Sequence, residues 1–163
     1  MDRASTRALS KIKRHRPATI AAFRGLFDLQ KIGYGVFRQA HRIKGTKLVV
    51  KLPRSLSLAS LGESVIHSRD EIKRIEKLKT LPELRPHLPR IYYYDLNNGV
   101  IVMQEYKIDN IENSKLLGRV IQKLIKRLIG VNCSDIHSGN IGKRVVVRGN
   151  RSKRVIVFLD LGY

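Results

Sequence analysis

Between Leu116 and Ile129, apolar residues recur at i, i+1 and i+4: Leu116, Leu117, Val120, Ile121, Leu124, Ile125, Leu128 and Ile129. That spacing predicts a helix with a wide apolar stripe, which must be covered by other elements of the chain. Ser114 fits as its N-cap and Gly130 as its stop. The opposite face, Lys115, Arg119, Lys123, Lys126 and Arg127, reads as solvated. So the chain needs a core built around a helix, and the remaining sequence must supply the surface that packs on it.

The other segments supply strands and one more helix. Leu26 to Pro53 reads as three antiparallel strands joined by two turns, the second at Lys44-Gly45-Thr46. Ser64 to Thr80 carries Val65, Ile72, Ile75 and Leu78 near one helical face, and Pro82, Pro86 and Pro89 prevent its continuation. Ile91–Asp95 and Gly99–Tyr106 read as a hairpin turning at Asn97-Asn98-Gly99. Tyr92, Tyr93 and Tyr94 are then strand residues. Val131 to Gly142 reads as a polar loop, and Val145–Val147 with Val155–Leu159 as a last hairpin around Gly149-Asn150. Met1 to Gly25 carries Arg3, Arg7, Lys11, Lys13, Arg14, Arg16 and Arg24, in a helix broken near Pro17 and a short second helix at Thr19–Phe23. Without interleaved aromatics to stack bases, this stretch reads as a solvated basic arm, with docking on nucleic acid as the alternative.

Charge narrows the partners. The 163 residues hold 33 Lys and Arg against 13 Asp and Glu, a net charge of +20. Such an excess predicts a polyanionic partner: nucleic acid, an anionic surface or a phosphate-bearing ligand. Cys133 is the single cysteine, which excludes an intrachain disulfide and an all-cysteine zinc site and suits a reducing, cytoplasmic compartment. No apolar run approaches a membrane span, and the basic N-terminus lacks the apolar core of a secretory signal.

A few residues stand out chemically. Gly33-Tyr34-Gly35 lies between strands, which excludes a Rossmann turn or a Walker A loop because both open a helix. Glycines there let backbone amides approach phosphates, although a glycine pair taken alone reads as a turn. Lys51, on a strand between Val50 and Leu52, reads in isolation as a solvent-facing lysine; buried, it would need a partner. Glu71, in the following helix, is the candidate partner. Asp135, Asn140 and Asp160 offer the hard oxygen donors that Mg²⁺ prefers, and each alone also suits an ordinary turn.

In this order the residues resemble the protein kinase-like superfamily. Gly33–Gly35 matches the glycine turn, Lys51 the strand lysine of V-A-I-K, and Glu71 its helical partner. Val102–Tyr106 is similar to the adenine-bordering strand and hinge, with Gln104 at the gatekeeper place. Asp135 and Asn140 match the catalytic loop, and Asp160-Leu161-Gly162 matches D-F-G. The resemblance implies an α+β, two-lobed fold: an N-lobe of about 26–106 with an antiparallel sheet and a helix, and a reduced C-lobe of about 107–163, after the arm of 1–25. It implies ATP between the lobes and Mg²⁺ on Asn140 and Asp160. Gly33, Tyr34 and Gly35 would cover the phosphates, Lys51 held by Glu71 would contact them, and Gln104, Glu105 and Tyr106 would border adenine. Asp135 would receive the proton of the acceptor hydroxyl.

The match has departures. Cys133-Ser134 replaces His-Arg before Asp135, and Arg38 stands near the place of a third glycine. His137 makes the loop D-x-H-x-x-N, similar to atypical branches that include ABC1-type kinases and aminoglycoside phosphotransferases. No activation segment, A-P-E motif or later helices follow Asp160-Leu161-Gly162. The leading expectation is a minimal serine/threonine protein kinase with ATP, Mg²⁺ and a protein substrate. The alternatives are a basic pseudokinase binding nucleic acid or a ribonucleoprotein, and a small-molecule phosphotransferase.

Overall fold

The computed structural model describes residues 1–54, 58–108, 119–120, 122–123, 125–127, 130, 140–148 and 151–159. Two units divide the chain: Met1–Asp70 with Arg90–Glu105, and Glu71–Pro89 with Tyr106–Tyr163.

In the first unit, α1 (Arg3–His15) starts at Asp2, whose carboxylate accepts the Ser5 N–H at 2.8 Å. It stops at Arg16, which adopts the left-handed conformation (φ 46) before Pro17. The next helix, α2 (Ile20–Leu26), is capped by Thr19, whose hydroxyl accepts the Ala22 N–H at 3.1 Å. Leu26 is therefore helical, not the start of a strand. These helices also correct the reading of residues 1–25 as a solvated arm. Ala8, Leu9, Ile12 and Phe23 share one hydrophobic cluster with Ile43, Leu48, Val50, Leu52, Val100 and Val102. Ile12 and Phe23 are fully buried, worth about 1.5–3 kcal/mol each. The Ser5 hydroxyl accepts the Lys47 N–H at 2.9 Å and ties α1 to the chain just before Leu48 of that cluster.

The sheet comprises β1 (Leu29–Tyr34), β2 (Arg38–Ile43), β3 (Leu48–Pro53), β4 (Ile91–Asp95) and β5 (Val100–Gln104). All pairs are antiparallel and the order is β1-β2-β3-β5-β4, so β3 is central. Its register defines two faces. One carries Ile43, His41, Leu48, Val50, Leu52, Val100 and Val102 and is covered by α1 and α2. The other carries Ala40, Val49, Lys51, Ile101 and Met103. The β4–β5 turn forms as its sequence predicts: the Asp95 carboxylate accepts the Asn97 N–H at 2.9 Å, and Gly99 has φ +65. A Cβ at Gly99 would also lie 3.0 Å from Pro53 and 3.1 Å from Val65. The Ser68 hydroxyl, donating to the Gly99 carbonyl at 2.9 Å, anchors that turn to α3 (Leu58–Lys79).

In the second unit, Ile72, Ile75 and Leu78 at the end of α3 are buried, as are Leu84 and Leu88 around the 3₁₀ turn Arg85–His87. Three strands follow: β6 (Lys107–Ile108), β7 (Ile141–Arg148) and β8 (Arg151–Phe158), in that order in an antiparallel sheet. The last hairpin is longer than its valine runs suggested, because Ile141 and Gly142 extend it into what read as loop. Strand β6 left no sequence signal beyond two residues. Residues 119–120, 122–123 and 125–127 are helical, within the apolar-striped segment. Ile125 is buried, whereas Val120 is 55% exposed. The stripe is thus wider in sequence than the surface that is covered at Val120.

His41 sets an acid limit on stability. It is 2% exposed, and neither ring nitrogen has a hydrogen-bond partner among the described residues. Burial lowers its pKa, and the charges of Arg24 and Lys31 push it further down. Burial also lowers that of His87, against the bond from its Nδ1 to the Ile156 carbonyl at 3.0 Å. A folded pKa below the unfolded one means that the unfolded chain takes the proton first. Stability is then full above the unfolded histidine value of about 6.5 and is lost as pH falls towards the folded values. Urea titrations are expected to give lower stability at pH 5 than at pH 7. His41→Leu should shrink that difference and be neutral or stabilising at pH 7, since it removes an unsatisfied polar group. An unchanged pH dependence would contradict this role.

Candidate active site

Lys51 sits in the middle of the central strand, paired with Ala40 on β2 and Ile101 on β5. It is only 7% exposed, so it is not a solvent-facing lysine. A buried ammonium needs partners, and Lys51 is not without one. One strand further, Ala40 pairs with Gly33. Gly33, Ala40, Lys51 and Ile101 therefore form one row across four strands, on one face. On the β1–β2 side of the lysine the row carries only a hydrogen and a methyl group.

The glycines are not demanded by packing. Neither Gly33 nor Gly35 has a positive φ. A Cβ at Gly33 would meet Ala40 Cβ at 3.4 Å, and one at Gly35 the Arg38 carbonyl at 3.4 Å, both ordinary contacts. The Gly35 N–H donates to the Arg38 carbonyl at 2.8 Å and closes the hairpin. Phe37, at its tip, stacks on His67 with ring centroids 4.1 Å apart, and its carbonyl accepts the Ser64 hydroxyl at 2.5 Å. This clamp on the glycine hairpin was not visible in sequence, since Phe37 and the α3 residues lie far apart in the chain.

Tyr34 belongs to the other face. It pairs with Gln39, which pairs with Leu52 of the core cluster. The residue is 55% exposed, with Lys31 Nζ 3.9 Å and Arg54 Cζ 4.1 Å from the ring centroid.

At the far end of β5 the register separates Gln104 from Met103. Gln104 pairs with Leu48 and so lies on the face away from Lys51; its side chain accepts the Tyr92 hydroxyl at 3.3 Å. Met103, 3% exposed and paired with Val49, is the β5 side chain next to Gln104 that lies on the lysine's face. Counting alternate residues from Lys51 and its partner Ile101 would have identified it. The Glu105 N–H donates to the Lys47 carbonyl at 2.8 Å, so that amide is engaged in the sheet. Its carboxylate accepts Arg42 Nε at 2.6 Å and also meets Nη2, while Arg42 Nη1 donates to Gln30 at 2.9 Å. Glu105 thereby locks β2 to the end of β5.

The second unit holds the other candidates. Glu71 is 1% exposed on α3 and, like Lys51, is not without a partner. Tyr106 is 8% exposed, and a Cβ on Gly142 would lie 2.7 Å from Tyr106 Cβ and 3.0 Å from a Leu159 methyl. Gly142 is thus required by close approach, a constraint the sequence did not reveal. Asn140, at the start of β7, accepts the Leu159 N–H on its carbonyl at 2.7 Å. The hairpin register therefore brings Asn140 opposite Leu159, the residue preceding Asp160 in the chain. Asp135, Asp160 and the departures Cys133, Ser134 and His137 lie outside the described residues. Among the described residues no group of three or more His, Cys, Asp or Glu could hold a metal, and no helix is long and apolar enough to cross a membrane.

The structure is similar to that of the Rio2 kinase–ADP/Mg²⁺–phosphoaspartate complex from Chaetomium thermophilum, with 16% identity and a TM-score of 0.48. The match covers 86% of this chain and 49% of that one, so the chain spans about half the length of the protein it matches. No protein-family model and no curated protein matches the chain.

Proposed function

We propose that the chain is an ATP-dependent phosphotransferase, acting as a minimal serine/threonine protein kinase. The observation that carries this reading is the Gly33–Ala40–Lys51–Ile101 row, a buried lysine followed along the sheet by an alanine and a glycine. Such a row suits phosphates: amides approach closely over glycine, and the ammonium neutralises charge. Val49 and Met103, on the same face, would border the base. Glu71 would orient the lysine, and Asp135 would take the proton of the acceptor hydroxyl.

Asn140 and Asp160 would hold Mg²⁺. The donors fit, because an amide and a carboxylate oxygen are hard ligands and the hairpin register brings Asn140 opposite the neighbour of Asp160. Bound there, the ion would neutralise phosphate charge. Phosphoryl transfer needs little covalent help, so positioning by these residues would supply most of the acceleration.

Purified protein is expected to transfer label from γ-labelled ATP to itself or to a generic protein substrate, and Asp135→Ala to lose that transfer while keeping Mg-ATP binding. Absence of both transfer and Mg-ATP binding would refute the reading. Mg-ATP binding without transfer would assign the chain to the pseudokinase alternative. A second check uses Gly33→Ala. Its Cβ makes only an ordinary contact, so the melting temperature should hold while ATP affinity falls several-fold. Unchanged affinity would remove the glycine turn from the site.

A further inference from the structure

We propose that the outward side of the helices covering the first unit's sheet, together with the neighbouring glycine hairpin, binds the phosphate backbone of a double-helical nucleic acid without regard to base sequence. The surface consists of Arg3, Arg7 and Arg14 on α1, Arg24 on α2, and Lys31 and Arg54 at the glycine hairpin.

Three observations lead there. First, α1 uses its apolar side internally: Ala8, Leu9 and Ile12 are core residues, so what it presents outward is cationic. A helix that lies on a membrane needs its apolar side free to enter the lipid, and this one has none to offer. Second, the cations lack acidic partners. From Met1 to Arg54 there are fourteen Lys and Arg and only two acids. Asp2 caps α1, and Asp28 pairs with Lys44 at 2.9 Å. None of the six named cations has an acidic partner among the described residues. Third, Lys31 and Arg54 are gathered on one exposed ring, Tyr34, despite their like charge. Such a pair is held ready for an anion, since the ring limits the side-chain freedom that binding would otherwise cost.

The dimensions suit a duplex. Arg3 to Arg14 spans about 16 Å along the helix. A duplex presents about one phosphate per 1.7 Å of its axis, so a cation row of that length faces several phosphates. A single strand would call for open aromatic faces to stack its bases, whereas cations lie against the Tyr34 ring.

The test is fluorescence anisotropy of labelled 20-base-pair RNA and DNA duplexes with the full chain between 50 and 200 mM KCl. Binding to either duplex should weaken with salt on a linear log–log plot. The variant Arg3→Glu/Arg7→Glu/Arg14→Glu should bind at least tenfold more weakly, with a slope shallower by about two to three units. Lys31→Glu/Arg54→Glu should lose several-fold. Both should melt as the wild type and bind ATP equally well, because the reversed side chains lie away from the core and from the lysine's face. The comparison variant Lys123→Glu/Lys126→Glu/Arg127→Glu, with equal charge change in the second unit, should stay within about twofold of wild type. Equal loss in both triple variants would reduce the effect to net charge and overturn the proposal. So would wild-type affinity in the α1 variant, stronger binding to single strands, or binding to phosphatidylserine vesicles without binding to duplexes.

Discussion

Lys51→Met is expected to lower phosphoryl transfer by about two to three orders of magnitude, the usual loss when a preorganised charge is removed from a developing anion. Met fills nearly the same volume as the lysine stem and leaves the row from Gly33 to Ile101 intact. The effect should therefore be on chemistry and phosphate contact, not on the sheet. Removing a buried charge also leaves its partner without compensation, which is destabilising in its own right. Lys51→Arg separates the two effects. It keeps the charge, so the fold should melt near the wild-type temperature. Its wider, planar head cannot occupy the point-charge position of an ammonium, so transfer should still drop. Single-turnover transfer and thermal melting, measured on both variants, check this. Wild-type transfer in Lys51→Met would show that the lysine only fills the sheet.

Gly142→Ala is expected to destabilise the second unit by about 1–3 kcal/mol, the range of overpacking in a filled core. The added carbon would lie 2.7 Å from Tyr106 Cβ, an atom that moves only with its backbone, and 3.0 Å and 3.2 Å from the two Leu159 methyls. Relief requires moving Tyr106 or the end of β8. Shifting Leu159 would strain its 2.7 Å bond to the Asn140 carbonyl. The structural cost would then reach the proposed Mg²⁺ pair: the urea midpoint should fall with little change in slope, and the Mg²⁺ needed for half-maximal transfer should rise. Wild-type stability in the alanine variant would contradict the close approach.

Much of the secondary structure was legible from local pattern. Short β-branched runs marked β3, β5 and β8, and the Asn97-Asn98-Gly99 and Gly45 turns set the hairpins, because turn chemistry acts over two to four residues. The Pro17 break made α1 and α2 visible as two helices, while their burial was not. Covering the sheet depends on a surface that only long-range pairing creates. For the same reason Gly142 looked like a loop glycine, and β6, with two residues, carried no period at all.

The site divides in the same way. Motif order in the chain proposes Gly33, Lys51, Glu71, Asp135, Asn140 and Asp160 as one chemical set, because spacing along a chain is a sequence property. Which face a residue occupies is a matter of register across strands. Register put Gly33, Ala40 and Lys51 in one row and moved Tyr34 and Gln104 to the opposite face. It also brought Met103 onto the lysine's side. Pleat alternation flips a side chain with every residue, so a one-residue error in alignment to a motif exchanges the two faces. Composition likewise announced a basic chain, and α1 packing on the sheet decided which of its cations stand together. Burying an amphipathic helix by its apolar side leaves its charged side as the only surface for a partner.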